Sequence, residues 1–221
     1  MNQNILENTW IIIPAREGSK GFPNKNRFLF DYTAKQIPND MRCKTIVTTD
    51  DEEIKTAAYK RGFLVLDREE PLSQDKTKMG LVIQDVVEKY KIGSDQNTIT
   101  LYLTYPQRTF EQVRQVYDFY LENSAVSLLC KKDVETHPYK CFYEKKNFKA
   151  SKVIENDLYR RQDYPKCFEA CHYVVINKAS VLASLDNNLY CSDTVFYPLE
   201  KKIFDVDYLS DFRNFKEGKT K

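Results

Sequence analysis

The 221-residue chain contains no run of about 18 apolar residues, so nothing in it reads as a transmembrane helix. It has little net charge: 34 Lys and Arg stand against 32 Asp and Glu, leaving +2. That excludes a global basic field suited to nucleic acid or an anionic lipid surface. Histidine is scarce; His137 and His172 are the only two, and neither forms an H-x-x-x-H or H-E-x-x-H pair. The six cysteines, at 43, 130, 141, 167, 171 and 191, never form C-x-x-C. Zinc sites need such ligand spacings, so none is expected. The opening MNQNILENTWIII has no basic region followed by a long apolar one, and it does not read as a secretory signal. The thiols are therefore expected to be reduced, in a cytoplasmic protein. Internal repeats and low-complexity linkers are also absent. What remains, 42% hydrophobic and 30% charged, is the composition of a soluble globular protein. The length suits a single domain over 1–221 with a small insertion.

Strand-like and helix-like segments alternate. Thr9 to Ile13, Lys44 to Thr49, Phe63 to Leu66, Thr98 to Leu103 and Val126 to Leu129 are short apolar or β-branched runs, as buried parallel strands are. Asp50 to Arg61 reads as a helix, capped by Asp50 or Asp51 and stopped at Gly62. Lys78 to Tyr90 carries Met79, Val82, Ile83, Val86 and Val87 at helical spacing. Thr109 and Gln112 form a capping box before the stripe Phe110, Val113, Val116, Tyr117 and Tyr120. This alternation predicts an α/β fold, a mostly parallel sheet with ligands beyond the carboxyl ends of its strands. Residues 137–166 differ in texture. Rich in aromatics and charge, they read as hairpins or an arm inserted into the sheet. Tyr173 to Ile176 resumes a core strand.

The segment after the first strand, from Pro14 to Asn26, carries the most chemistry. Gly18 and Gly21 let its backbone turn and approach an anion. Arg16, Lys20 and Lys25 supply positive charge, and Ser19 a hydroxyl. The pattern is neither G-x-x-x-x-G-K-[ST] nor G-x-G-x-x-G. The residues alone leave two readings, a polyphosphate-binding loop or an ordinary solvated connection. Asp205 and Asp207 are similarly open. In a strand they project from one face and suit Mg²⁺ with its waters, or they simply face solvent.

The loop R-E-G-S-K-G-F-P-N-K-N, Arg16 to Asn26, resembles that of the CMP-sugar-acid synthetases, the acylneuraminate cytidylyltransferases in particular. The likeness continues in order through Ile46 to Ile54, Ser73-Gln74-Asp75, Pro106 to Thr109, His137 to Lys140, Arg161 to Pro165, and Phe204 to Asp207 with Asp211-Phe212. The resemblance implies a Rossmann-like three-layer nucleotidyltransferase with a hairpin dimerisation arm. It implies transfer of CMP from CTP to the anomeric hydroxyl of a sugar acid, releasing pyrophosphate. Ala15, Arg16, Gly18, Ser19, Lys20, Asn24, Lys25 and Asn26 would then bind CTP, with Arg16 and Lys20 on the triphosphate. Asp205 and Asp207 would hold Mg²⁺ and complete the catalytic set. Gln74, Asp75, Tyr102, Thr104 and Arg108 would meet the substrates. Lys140, Arg161 and Gln162 would reach an acidic acceptor across a homodimer interface, while His137 is expected to be a structural turn residue.

Three departures bear on the acceptor. Asn26 runs almost directly into Arg27-Phe28-Leu29, so the loop over the nucleotide must be short. Tyr102 and Tyr105 stand where the family has a glutamine and a serine, and His172-Tyr173-Val174-Val175 where it has Gly-Ala-x-Tyr. Bulky tyrosines reshape a pocket, leaving open a different or phosphorylated acceptor. A glycosyltransferase using the D-x-D and a non-catalytic nucleotide scaffold are the other readings.

Overall fold

The computed structural model describes residues 8–200 and 203–219. Most of the segment read as lacking a secretory signal, residues 1–7, lies outside them. The β-branched runs become β1 (Thr9–Pro14), β2 (Thr45–Thr49), β3 (Leu64–Asp67) and β4 (Asn97–Thr100). These join β5 (Ser127–Asp133), β8 (Phe168–Lys178) and β9 (Thr194–Pro198) in one sheet of order β3-β2-β1-β4-β8-β5-β9. β8 alone runs antiparallel to its neighbours.

Successive residues of a strand face opposite ways, and the core divides accordingly. Ile11, Ile13 and Val47 point to one face, under α1 (Lys25–Ala34), α2 (Glu52–Lys60), α4 (Phe110–Glu122) and α5 (Leu209–Lys216). Ile12 and Ile46 point to the other, under α3 (Met79–Lys89) and residues 179–190. The result is the expected three layers. Each fully buried Ile or Leu contributes about 1.5–3 kcal/mol, so the sheet is the rigid part that positions everything above it.

The local signals act as their chemistry dictates. Asp51 caps α2, its side chain accepting from the N–H groups of Glu53 and Ile54. Thr109 and Gln112 close the capping box of α4. Between β5 and β8, β6 (Phe142–Glu144) and β7 (Ala150–Lys152) form a separate two-stranded antiparallel sheet, the hairpin expected within 137–166. Two expectations need correction. The fourth strand ends at Thr100, although Leu101 and Leu103 stay buried beyond it. Asp205 and Asp207 are not on a sheet strand. Their segment carries no regular secondary structure, and its Val206 N–H bonds to Thr104 O at 2.9 Å. Phe204 and Val206 are buried, Asp205 is half-buried and Asp207 is exposed.

Candidate active site

Residues 15–24 cross the carboxyl end of the sheet and enter α1 at Lys25, so the loop is as short as expected. Ala15 is fully buried and acts through its backbone: its N–H reaches Thr48 O at 3.0 Å and its carbonyl accepts from Thr49 Oγ1. Glu17 N–H donates to Asp50 Oδ1 at 2.7 Å, tying the loop to the end of β2. Asn26 Nδ2 donates to Arg16 O at 2.8 Å, bracing the loop from within α1. Gly18 takes φ 75°, and Asn24, the residue before α1, takes φ 56°. Both lie in the left-handed region that Gly and Asn tolerate.

A cleft of about 570 Å³ opens here, lined by Arg16, Glu17, Gly18, Ser19, Pro23, Asn24, Asp50, Ser73, Gln74 and Asp75. Arg16 Nη2 meets Asp75 Oδ1 at 2.5 Å, and the Lys20 ammonium pairs with the other oxygen of the same carboxylate. The Lys20 hydrogen bond, supported by Arg16, holds Asp75 below the usual carboxylate range. The structure thus brings together Arg16, Gly18, Ser19, Lys20, Asn24, Gln74 and Asp75, drawn from two distant segments.

Lys25, the first residue of α1, pairs instead with the carboxylate segment, its Nζ lying 3.1 Å from Asp207 Oδ1. Burial pushes the Asp205 carboxyl up, and the nearby Asp207 charge pushes it further. The Thr104 and Tyr105 hydroxyls beside it favour its charged form, yet neither closes a regular hydrogen bond on Oδ1, which is buried and without a partner. A buried carboxylate oxygen lacking a donor, next to a second carboxylate, is a site that a hard cation would satisfy. Among the described residues no group of three or more His, Cys, Asp or Glu is placed to hold a metal. A cation here would therefore complete its shell with phosphate oxygens and water.

Other candidates lie elsewhere. Arg108 is buried in the core, donating to Tyr173 O at 2.6 Å and Tyr102 O at 2.9 Å, with its pKa pushed down to about 10 by desolvation. It clasps β8 to the chain leaving β4 and does not line the cleft. Tyr102 is half-buried, its ring 5.5 Å from that of His172. Lys140, Arg161 and Gln162 are exposed on the inserted arm. His137 is structural: it caps the turn at Pro138–Lys140 and packs between Tyr139 and Tyr164.

Residues 10–217 match a family model described as cytidylyltransferase. The chain belongs to the cytidylyltransferase family. Relatives within reach include the N-acylneuraminate cytidylyltransferase of Streptococcus agalactiae, 28% identical over 91% of this chain and 51% of that protein. The chain thus spans about half the length of these streptococcal relatives. The CMP-N,N'-diacetyllegionaminic acid synthase of Campylobacter jejuni is 30% identical, over 91% of this chain and 90% of that one. In fold, the chain is similar to a CMP:2-keto-3-deoxy-manno-octonic acid synthetase complexed with CTP, with TM-score 0.66, 13% identity, and coverage of 96% and 98%. No helix among the described residues is long and apolar enough to cross a membrane.

Two arginines next to cleft residues were not singled out in the sequence. Arg68 follows β3, 4% exposed, donating to Thr48 O at 2.8 Å and lying within electrostatic reach of Arg16 and Asp50. Burial pushes its pKa down to about 10, against the pull of Asp50. Its place just past a strand's carboxyl end was the available signal. Arg27 joins Glu17, Asp51 and Glu53, anchoring α1 to α2 beneath the loop.

Proposed function

We propose that the chain transfers CMP from CTP to the anomeric hydroxyl of a nonulosonic-acid-like sugar acid, releasing pyrophosphate, for surface-glycan precursor synthesis. The observation that carries this reading is the convergence of Arg16 and Lys20 on Asp75 at the cleft, with the next cation of the same segment, Lys25, paired to Asp207. In-line attack at a phosphorus needs placement and charge neutralisation more than a protein nucleophile. The acceptor oxygen forms its bond to the α-phosphorus as the bond to the β-phosphate oxygen breaks. Pyrophosphate leaves with that electron pair, and the hydroxyl proton passes to water. Arg16 and Lys20 hold the triphosphate against the charge that develops on the leaving group. Asp205 and Asp207 are the residues that would hold Mg²⁺, which when bound adds a hard positive charge at the phosphates. The partnerless Asp205 oxygen supports that assignment.

The relatives named above are enzymes of N-acylneuraminate and of N,N'-diacetyllegionaminic acid, which is why that acceptor class is proposed. The half-buried Tyr102 beside His172 gives a reason for a preference differing from theirs. The arm exposes Phe148 and Tyr159, each at 95%, together with Phe142 and Tyr143. Aromatics enriched at interfaces support a homodimer in which Lys140, Arg161 and Gln162 serve a neighbouring site. Six free thiols support a cytoplasmic setting. Light scattering that found only monomer would remove the arm from this account.

The deciding experiment measures Mg²⁺-dependent pyrophosphate release with a panel of nonulosonic acids, 3-deoxy-octulosonate and phosphorylated acceptors. ATP, GTP and UTP run beside CTP. Release with CTP alone and one acceptor is expected. A nucleoside diphosphate product would favour a glycosyltransferase, and CTP that neither reacts nor raises the melting temperature would overturn the reading.

A further inference from the structure

The last helix contributes a third acid, and its geometry is that of a brace. Asp211 is 3% exposed. Its Oδ2 accepts from the backbone N–H of Asp207 at 3.1 Å and of Tyr208 at 2.9 Å. Its own N–H reaches Tyr208 O at 3.0 Å, closing the turn that opens α5. One residue on, Phe212 packs its ring on Phe22 at 5.4 Å and on Phe28 at 5.8 Å. Phe22 belongs to the nucleotide loop and Phe28 to the helix that the loop enters. A Cβ on Gly21 would stand 3.2 Å from the Asp207 carbonyl, so loop and carboxylate segment touch at backbone level. The first turn of α5 therefore grips both halves of the site at once.

We infer that Asp211 is a positioning residue, holding Asp207 in register for a divalent cation through the Asp207 backbone while itself touching neither cation nor substrate. The inference rests on the reading of Asp205 and Asp207 as cation ligands. Two amide donors need an acceptor oxygen, which asparagine also offers, whereas a direct ligand would need the charge. Groups that orient a ligand rather than bind the metal alter metal affinity by about 10–100-fold.

The test uses the full chain and Mn²⁺ as the probe, without nucleotide, by calorimetry. Hydrogen exchange over residues 204–208 provides the second readout. Asp211→Ala should raise the Mn²⁺ Kd about tenfold or more and speed exchange at the Asp207 and Tyr208 amides. Asp211→Asn should leave both near wild type. If Asp211→Ala does not fold, Asp211→Glu serves, since it keeps the charge but moves the acceptor; it too should weaken Mn²⁺. Mn²⁺ binding unchanged in the alanine or glutamate variant overturns the inference. So does an asparagine variant as impaired as alanine, which would make Asp211 a direct ligand. A wild-type chain that takes up no Mn²⁺, or an Asp205→Asn variant that binds it equally well, refutes the cation reading itself and this inference with it.

Discussion

Gly18→Ala isolates the cost of the loop's backbone shape. Gly18 sits at φ 75°, and a Cβ added there meets no atom within 4 Å. Sterics with neighbours therefore contribute nothing, and the whole penalty is conformational, about 1–2 kcal/mol for an L-residue in the left-handed region. The fold can absorb that strain in place, which lowers stability. Alternatively the exposed loop reshapes, which breaks the 3.2 Å bond from Arg16 Nη1 to Gly18 O and lowers affinity for CTP. The nucleotide-bound state loses the same amount by either route, so the two effects must sum to it. A loss of 1–2 kcal/mol corresponds to a melting shift of about 2–8 °C for a chain of this size, or about a 5- to 30-fold weaker Kd. Thermal unfolding with and without saturating CTP and Mg²⁺, paired with calorimetric titration of CTP, measures both parts. Gly18→Asn, which tolerates the same φ, should recover most of the loss. An alanine variant with unchanged CTP affinity and an unchanged melting point when bound would refute the argument, because it would mean this backbone shape is not the one that holds nucleotide.

Gly21→Ala acts by contact instead: its Cβ would press on Asp207 O at 3.2 Å and the Tyr208 ring at 3.3 Å. Separating loop from carboxylates by a few tenths of an ångström should lower kcat about tenfold with CTP affinity largely kept, as steady-state kinetics beside calorimetry will read. The Lys20 side chain is 81% exposed, so Lys20→Ala should reduce turnover about 10²–10³-fold while shifting the melting point by no more than about 2 °C. Arg108→Ala should do the reverse. It strands the Tyr173 and Tyr102 carbonyls, costing about 2–5 kcal/mol of stability, and denaturant unfolding should show this while the folded fraction keeps its KM for CTP.

The contrast between Lys20 and Arg108 also marks what a sequence can disclose. Strands and caps rest on local chemistry, so β1, the Asp51 cap and the Thr109–Gln112 box are readable in order along the chain. The loop is readable because glycine and cations crowd into one short connection. α1 is not. Its buried residues Leu29, Phe30, Thr33 and Ala34 are interleaved with Arg27, Phe28 and Asp31, which face solvent or pair with α2. Its N-terminus also lacks a side-chain cap: Asn24 is left-handed and makes no capping bond. Arg108 has one carbonyl partner six residues earlier, at Tyr102, and the other on a strand 65 residues later, at Tyr173, which nothing near it in sequence announces. The D-x-D alternation predicts a strand for Asp205 and Asp207, whereas Val206 N–H bonds to Thr104 O and Asp207 N–H to the Asp211 side chain rather than to a ladder.

Burial then decides which cations can meet a phosphate. Arg68 and Arg108 are 4% and 3% exposed and spend their donors on backbone carbonyls of the sheet and its connections. Withdrawing them would leave buried acceptors unpaired, so neither is free to follow a ligand. Arg27 joins three carboxylates, one of them the buried cap of α2, and is committed to the scaffold in the same way. Arg16 and Lys20 are different: both pair with Asp75, a carboxylate with a side chain 30% exposed at the cleft mouth. Exposed pairs of that kind are worth about 0–1 kcal/mol, little enough for a triphosphate to replace. Meanwhile Asp75 keeps the two cations converged on one point, so less ordering would be left to do in the proposed binding of a triphosphate. The loop thus combines alignment with availability, which a phosphoryl-transfer site needs and the buried arginines cannot provide.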